Sequence, residues 1–331
     1  MESLATLYGN HRGKVSQRWE SYLTVLDRTL GERRHDPVRL LEIGVQNGGS
    51  LEVWASYLPE ARVLVGTDID PRCGALTFTD PRIRLVVGDV TDPAVQQQVA
   101  DHADRFDVII DDGSHRSSDI IDTFVALYPL LDEDGVYVIE DLHCSYYASY
   151  GGGLFTQRSA LGFLRRLVDV INHDHWGLER TAGQHLQPLV DQPLPPSFID
   201  ALPTIASVAF HDSMGVIRRD HGPRPRLGNR IVAGDVAAVD TGPLTEAGRP
   251  LVGEPQLESA DNVDPLAHET ELRQLREERA RLVHREKELT QELNEVWRRL
   301  ERTLASPSYR LMNGPRRIFR ALFRRGVSGS S

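Results

Sequence analysis

Between residues 39 and 139 the chain sets out five short, nearly continuous apolar runs, at 39–45, 62–67, 83–87, 106–110 and 136–139, separated by longer mixed stretches. Runs that lack polar alternation suit strands covered on both faces, and spacers of this length are what parallel strands require. Two further runs, 205–210 and 214–218, flank His211-Asp212-Ser213, which is turn chemistry, so they read as an antiparallel hairpin. The expected fold is α/β: a doubly wound, mostly parallel sheet with an antiparallel hairpin at its C-terminal side.

The remaining chain divides by composition. Residues 1–37 read as a helical lead-in with Trp19, Tyr22, Leu23, Val25 and Leu26 as its apolar positions, and 38–220 as the sheet domain. Residues 221–265 are rich in Pro, Gly, Asp and Ala without a sustained period and read as a linker. From 266 to 305 a charged helix repeats Leu275, Leu282, Leu289 and Val296 every seven residues, with Leu272, Leu293 and Leu300 on the companion seam; Arg279 and Glu286 interrupt it. The final segment, 306–331, reads as a basic amphipathic tail. After Glu301 it has no acid, and Arg316, Arg317, Arg320, Arg324 and Arg325 alternate with Ile318, Phe319, Leu322 and Phe323.

A net charge of −10 argues against nucleic acid as a partner. Cys73 and Cys144 do not make a disulfide framework, and no apolar run reaches the roughly 20 residues that span a bilayer. The expected location is cytoplasmic, with the tail as a peripheral contact on the inner membrane face.

The strand ends carry the chemistry. The first runs through Leu41-Glu42-Ile43-Gly44-Val45-Gln46-Asn47-Gly48-Gly49-Ser50 and opens a helix. Such a turn lets a ligand approach the backbone and offers free N–H groups, though it serves equally as a plain tight turn. A dinucleotide fingerprint would need glycine where Gln46 stands. The second run ends in Asp68-Ile69-Asp70-Pro71: Asp68 suits a ribose diol, and Asp70 reads as a helix cap before Pro71. Asp89 follows the third run and could be a cap as well.

The fourth run closes with Asp111-Asp112-Gly113-Ser114-His115 and the fifth with Glu140-Asp141. Adjacent parallel strands bring such ends to one crevice. Carboxylates gathered there repel unless a hard cation sits among them, and His115 is then placed to take a proton. Each piece alone has an ordinary reading, as a turn, a helix cap or a surface histidine. Tyr146, Tyr147 and Tyr150, ahead of three glycines, read as a lid over an acceptor or as a buried aromatic cluster. His143, His173, His175 and His185 are candidates for the acceptor side.

The pattern Glu-x-Gly-x-x-x-Gly resembles motif I of class I S-adenosylmethionine-dependent methyltransferases. The resemblance implies a Rossmann-like methyltransferase sheet and S-adenosylmethionine as cofactor. It implies Glu42, Gly44, Gly48 and Ser50 near the methionine part, Asp68 at the ribose, Asp89 at the adenine and Asp111 beside them. The order Asp112, His115, Glu140, Asp141 resembles metal-dependent O-methyltransferases. Its Asp-Gly-Ser-His and Ile-Glu-Asp versions are closer to the sugar O-methyltransferases of macrolide biosynthesis than to the catechol type, whose base is a lysine. That likeness covers about residues 38 to 220, with Tyr8-Gly9 to Lys14 also similar. It implies Mg²⁺ on Asp112, Glu140 and Asp141, with Asp111 an alternative to Asp112, His115 as general base, and a sugar or glycan hydroxyl as acceptor.

Two other functions compete: a non-haem-iron hydroxylase, which would prefer two histidines and one carboxylate, and a non-catalytic adaptor working through its heptad helix. The heptads imply a homo-oligomer or a partner helix. The Ser-Pro-Ser-Tyr-Arg-Leu phrase of the tail resembles the C-terminal ends of bacterial polysaccharide-biosynthesis proteins.

Overall fold

The structure, a computed structural model, describes residues 2–221, 227–249, 254–256 and 264–307. The described residues form two compact units, one up to Gln256 and one from Asp264 onward.

In the first unit, α1 (Leu4–Asn10) and α2 (Glu20–Leu30) precede β1 (Arg39–Ile43), α3 (Gly49–Tyr57), β2 (Val63–Asp68), β3 (Ile83–Val87), α4 (Pro93–Ala100), β4 (Phe106–Asp111), α5 (Ser117–Leu127) and β5 (Leu131–Ile139). Then come α6 (Ala160–Ile171), α7 (Ala182–Leu186), α8 (Pro196–Ala201), β6 (Ile205–His211), β7 (Met214–Arg219) and α9 (Gly242–Glu246). The seven strands form one sheet in the order β3-β2-β1-β4-β5-β7-β6. β1 to β5 pair in parallel, whereas β7 runs antiparallel to both β5 and β6. This is a Rossmann-like, doubly wound sheet with an antiparallel hairpin at one edge, as the apolar runs predict.

The apolar runs become strands for the reason they were legible: Leu40, Leu41, Leu64, Val65, Ile109, Ile110, Val136 and Val138 are completely buried. β1 stops two residues early because Gly44 takes φ +88 and leaves the sheet. β5 begins five residues early. Its Asp132-Glu133-Asp134-Gly135 stretch is accommodated by a register shift against β4 and by Asp134 at φ +59, and such an acidic stretch reads as a turn in sequence.

The lead-in is not an appendage. Leu4, Tyr22, Leu26 and Leu30 share one hydrophobic core with Leu40, Leu51, Trp54 and Tyr57. Asp27 ties the two ends of that packing, accepting a hydrogen bond from the Leu4 N–H at 3.2 Å and from the Tyr57 hydroxyl at 2.8 Å.

The second unit is α10 (Pro265–Ala305), capped by the Asp264 side chain on the Leu266 N–H. At about 1.5 Å per residue it is roughly 60 Å long. Leu275, Leu282, Leu289 and Val296 are all about half-exposed or more, as are Leu293 and Trp297. None of the described helices is long and apolar enough to cross a membrane. The basic run from Arg310 to Arg325 lies outside the described residues.

Candidate active site

The strand order reverses between β1 and β4, and the crevice at such a reversal is where open α/β sheets bind ligands. Here it holds a cavity of about 630 Å³, lined by the ends of β1, β2, β4 and β5, the loop after β3 and the segment 15–19. That is ample for a nucleoside-sized ligand together with part of a second molecule.

One half of the cavity is framed by backbone. A Cβ at Gly44 would lie 2.0 Å from the Asp112 carbonyl oxygen, so only glycine lets the β1 and β4 ends approach. Asp68 accepts hydrogen bonds from the Gln46 N–H at 2.7 Å and the Asp70 N–H at 2.9 Å, and still faces the cavity. Asp89 accepts from the Thr91 N–H and hydroxyl and lines the far side.

Asp111 is buried; its Oδ1 accepts weakly from the Gly113 N–H at 3.2 Å, and Oδ2 has no partner. Burial pushes its carboxyl up to about 7, with the neighbouring Glu140 charge adding to the effect. A buried carboxylate oxygen and the equally unpartnered Thr67 hydroxyl, both on the cavity wall, call for a polar ligand.

The sequence expectation differs from the structure at two of the proposed cofactor residues. Glu42 does not reach the cavity. It is wholly buried beneath the loop, where Ser50 donates to it at 2.6 Å and the Trp54 indole N–H at 3.1 Å. Gly48 does not line the cavity either; it enters α3 in the left-handed region with Phe78 against it. Both shape the loop from behind. Ser50 does line the cavity.

The other half is acidic. Asp112, His115 and Asp141 offer ligand atoms that all lie within 4.8 Å of one another. His115 Nε2 stands 3.4 Å from Asp141 Oδ2. Both residues have left-handed backbone, at φ +59 and +54, a strain that non-glycine residues keep mainly where function requires it. Burial and the adjacent Glu140 push the Asp112 carboxyl well above the usual carboxylate range. Burial also lowers the His115 pKa, against the pull of Asp141, so its neutral form is favoured.

Glu140 stands apart from this cluster. Both of its oxygens are gripped by Arg18 Nε, at 2.9 and 3.0 Å. Arg18 Nη2 also donates to Glu42 at 2.6 Å and stands 3.5 Å from Asp112 Oδ2. Glu42, Asp112 and Glu140 thus share a single guanidinium, and a divalent cation beside Asp112 and Asp141 fits the remaining deficit of positive charge.

Arg18, Trp19 and Tyr22 are the residues that sequence reasoning missed. The Trp19 indole N–H donates to Asp141 Oδ1 at 3.0 Å, and the Tyr22 hydroxyl lies 2.8 Å from the same oxygen. Trp19 and Tyr22 register in the sequence only as apolar helical positions, and Arg18 pairs with residues 24 and 122 positions away. No local pattern marks it.

Of the other histidines, His143 is close, its Nδ1 3.6 Å from Asp141 Oδ1 and 2.5 Å from Ser213 Oγ. His185 pairs with Asp169 and His173 with the Arg180 carbonyl, both outside the cavity wall, as is His175. Tyr146 and Tyr147 are 43% and 50% exposed, so they form no buried cluster.

The sheet, the glycine turn and the acidic strand ends are arranged as in class I methyltransferase domains, and residues 41–142 match the family described as a methyltransferase domain. The chain is 29% identical over 226 residues to the 8-demethyl-8-(2-methoxy-alpha-L-rhamnosyl)-tetracenomycin-C 3'-O-methyltransferase of Streptomyces olivaceus, covering 65% of this chain and 53% of that one. It is 32% identical to the 8-demethyl-8-alpha-L-rhamnosyl tetracenomycin-C 2'-O-methyltransferase of the same organism, covering 64% and 55%. Among solved structures it is similar to the MycE methyltransferase of the mycinamycin biosynthetic pathway, in complex with Mg, SAH and mycinamycin VI. That match has a TM-score of 0.51 at 26% identity and covers 66% of this chain and 55% of the other. The chain spans about half the length of the curated relatives it matches.

Proposed function

We propose that this protein is a Mg²⁺-dependent O-methyltransferase that moves the methyl group of S-adenosylmethionine to a sugar hydroxyl of a glycan or glycosylated natural product. The observation that carries the reading is the strained Asp112–His115–Asp141 cluster at the rim of a cavity whose inner wall has an unpartnered buried carboxylate. The sugar O-methyltransferases to which the chain is similar support the acceptor class.

Asp68 would hold the ribose hydroxyls, Asp89 the adenine side, and the free Asp111 oxygen the cofactor's ammonium. Gly44 supplies the close backbone approach, with Glu42, Gly48 and Ser50 fixing the loop beneath it. Asp112 and Asp141 would hold the cation, with Glu140, shared with Arg18, completing the acidic set. S-adenosylmethionine would supply an electrophilic sulfonium methyl, and Mg²⁺ would acidify and orient a hydroxyl of the acceptor. His115, neutral because of its burial, takes the hydroxyl proton at Nε2, and Asp141 beside it steadies the imidazolium that results. The oxygen so deprotonated would be held toward the cofactor's methyl group, whose transfer would break the S–CH₃ bond and release S-adenosylhomocysteine, with proximity supplying much of the acceleration.

The half-exposed heptad face of α10 supports pairing with a second copy of the chain, and the arginine-rich tail a salt-sensitive contact with anionic lipid. The test of the catalytic reading is direct. The protein is incubated with S-adenosylmethionine, Mg²⁺ and a panel of rhamnosides and other glycosides, and methyl gain is followed by mass spectrometry. Methylated glycoside that disappears with EDTA and returns with Mg²⁺ is expected. Full activity in excess chelator would sink the metal mechanism.

A further inference from the structure

A row of rings leads outward from the acidic cluster. Trp19 meets His143 edge-on at 6.3 Å, His143 meets Tyr147 edge-on at 5.7 Å, and Tyr147 stands 6.5 Å from Tyr150. Trp19 and Tyr147 keep 58% and 50% of their surface open, and among the described residues the single exposed rings elsewhere form no such row with the site. The two inner rings of the row are also fixed in place. The Trp19 indole is tied to Asp141 Oδ1, and His143 is held to Ser213 Oγ by its ring nitrogen at 2.5 Å and its backbone N–H at 3.1 Å.

Open aromatic faces held rigidly beside a cation site are suited to a ring that is apolar on its face and polar at its edge. A pyranose is such a ring: its C–H face can lie on indole or phenol while its edge hydroxyls reach Asp112, Asp141 and His115. The geometry points to Trp19, His143 and Tyr147 as the stacking wall that receives the pyranose ring of the acceptor. This rests on the methyl-transfer reading above and adds which residues select the acceptor. An acyclic diol offers the same pair of hydroxyls without the face, so the wall favours rings over chains.

The test uses the full chain with methyl α-L-rhamnopyranoside, whose only ring is the sugar, and with 2,3-butanediol and catechol as controls. Tyr147→Ala should raise the KM for the rhamnoside roughly tenfold, about the worth of one ring contact, with kcat within a few-fold. The affinities for S-adenosylhomocysteine and Mn²⁺, measured by calorimetry, should be unchanged in that variant. Trp19→Phe, which keeps a ring, should hold the KM closer to wild type than Trp19→Ala. Saturation-transfer NMR should find the sugar C–H protons nearest the protein. Rhamnoside turnover with a KM indifferent to Tyr147→Ala and Trp19→Ala would overturn the wall and leave the methyl-transfer reading standing. Transfer to catechol or the acyclic diol but to no pyranoside would remove both the wall and the sugar acceptor.

Discussion

At the scale of single residues, the site is a problem of charge. Asp112 and Asp141 face the cavity with His115, while Glu140 and Glu42 are neutralised from behind by Arg18. Asp112→Ala should therefore abolish turnover while leaving the affinity for S-adenosylhomocysteine within a few-fold, because Asp68 and Asp89 lie on other strand ends and the neighbouring Asp111 keeps its own buried side chain; calorimetry and a methylation assay separate the two. His115→Ala should lower kcat by roughly 10²–10⁴, the usual worth of a general base. Burial lowers the His115 pKa from 6.5, and the base works in its neutral form. The wild-type rate should thus rise with pH to a plateau whose half-point lies below 6.5, and the alanine variant should lack that limb. A variant with the wild-type profile would assign the base elsewhere. Arg18→Met tests the buried centre: Glu42 and Glu140, both essentially inaccessible, would lose their shared counter-ion. Uncompensated buried charge costs about 3–5 kcal/mol, so urea unfolding should show a loss of that order. A loss below about 1 kcal/mol, within the range of an exposed pair, would mean that the ionic hub contributes little to the fold.

At the scale of elements, what sequence could reveal was what neighbours in the chain determine. The apolar runs were legible because burial on both faces removes polar alternation, and the hairpin because His211-Asp212-Ser213 is turn chemistry, with Ser213 at φ +64. The acidic strand ends could be foreseen because parallel pairing sets Ile43 beside Asp111 and Asp111 beside Ile139, which carries Glu140 and Asp141 to the same edge. The clamp from the lead-in was hidden, since α1 and α2 join the core through Leu4, Leu26 and Leu30 only once the sheet exists. Glu42 was misjudged for a related reason: strand alternation sends it beneath the loop, while the backbone at Gly44 faces the cavity. For α10 the heptads give a clear expectation. A helix with Leu275, Leu282 and Leu289 all open to solvent gains stability by covering that face with a second copy. Leu282→Glu with Leu289→Glu should convert a dimer to a monomer in light scattering without changing the cofactor affinity of the first unit. A wild-type chain that is monomeric at tens of micromolar would rule out self-pairing.

At the scale of the whole molecule, the proposed catalytic site and the proposed attachment segment separate along the chain. Among the described residues all seven strands and the cavity end by Arg219, whereas the arginine-rich segment begins after Glu301. The charge distribution gives that separation a consequence. A chain of net charge −10 is repelled by an anionic leaflet, and removing the six arginines beyond residue 307 makes the remainder more acidic still. Any attraction to such a surface must therefore come from the tail, at about 1 kcal/mol per arginine near the surface, and must weaken with salt as the charges are screened. Ending the chain at residue 307 should abolish co-sedimentation with phosphatidylserine-containing vesicles while leaving the methylation of a soluble rhamnoside intact. Two findings would contradict the division of labour: vesicle binding that survives the truncation, or full-length protein that ignores anionic vesicles even at low salt. If binding is lost and catalysis kept, the acceptor met in the cell is a sugar carried at a membrane surface, since holding the enzyme there raises its local concentration over such acceptors alone.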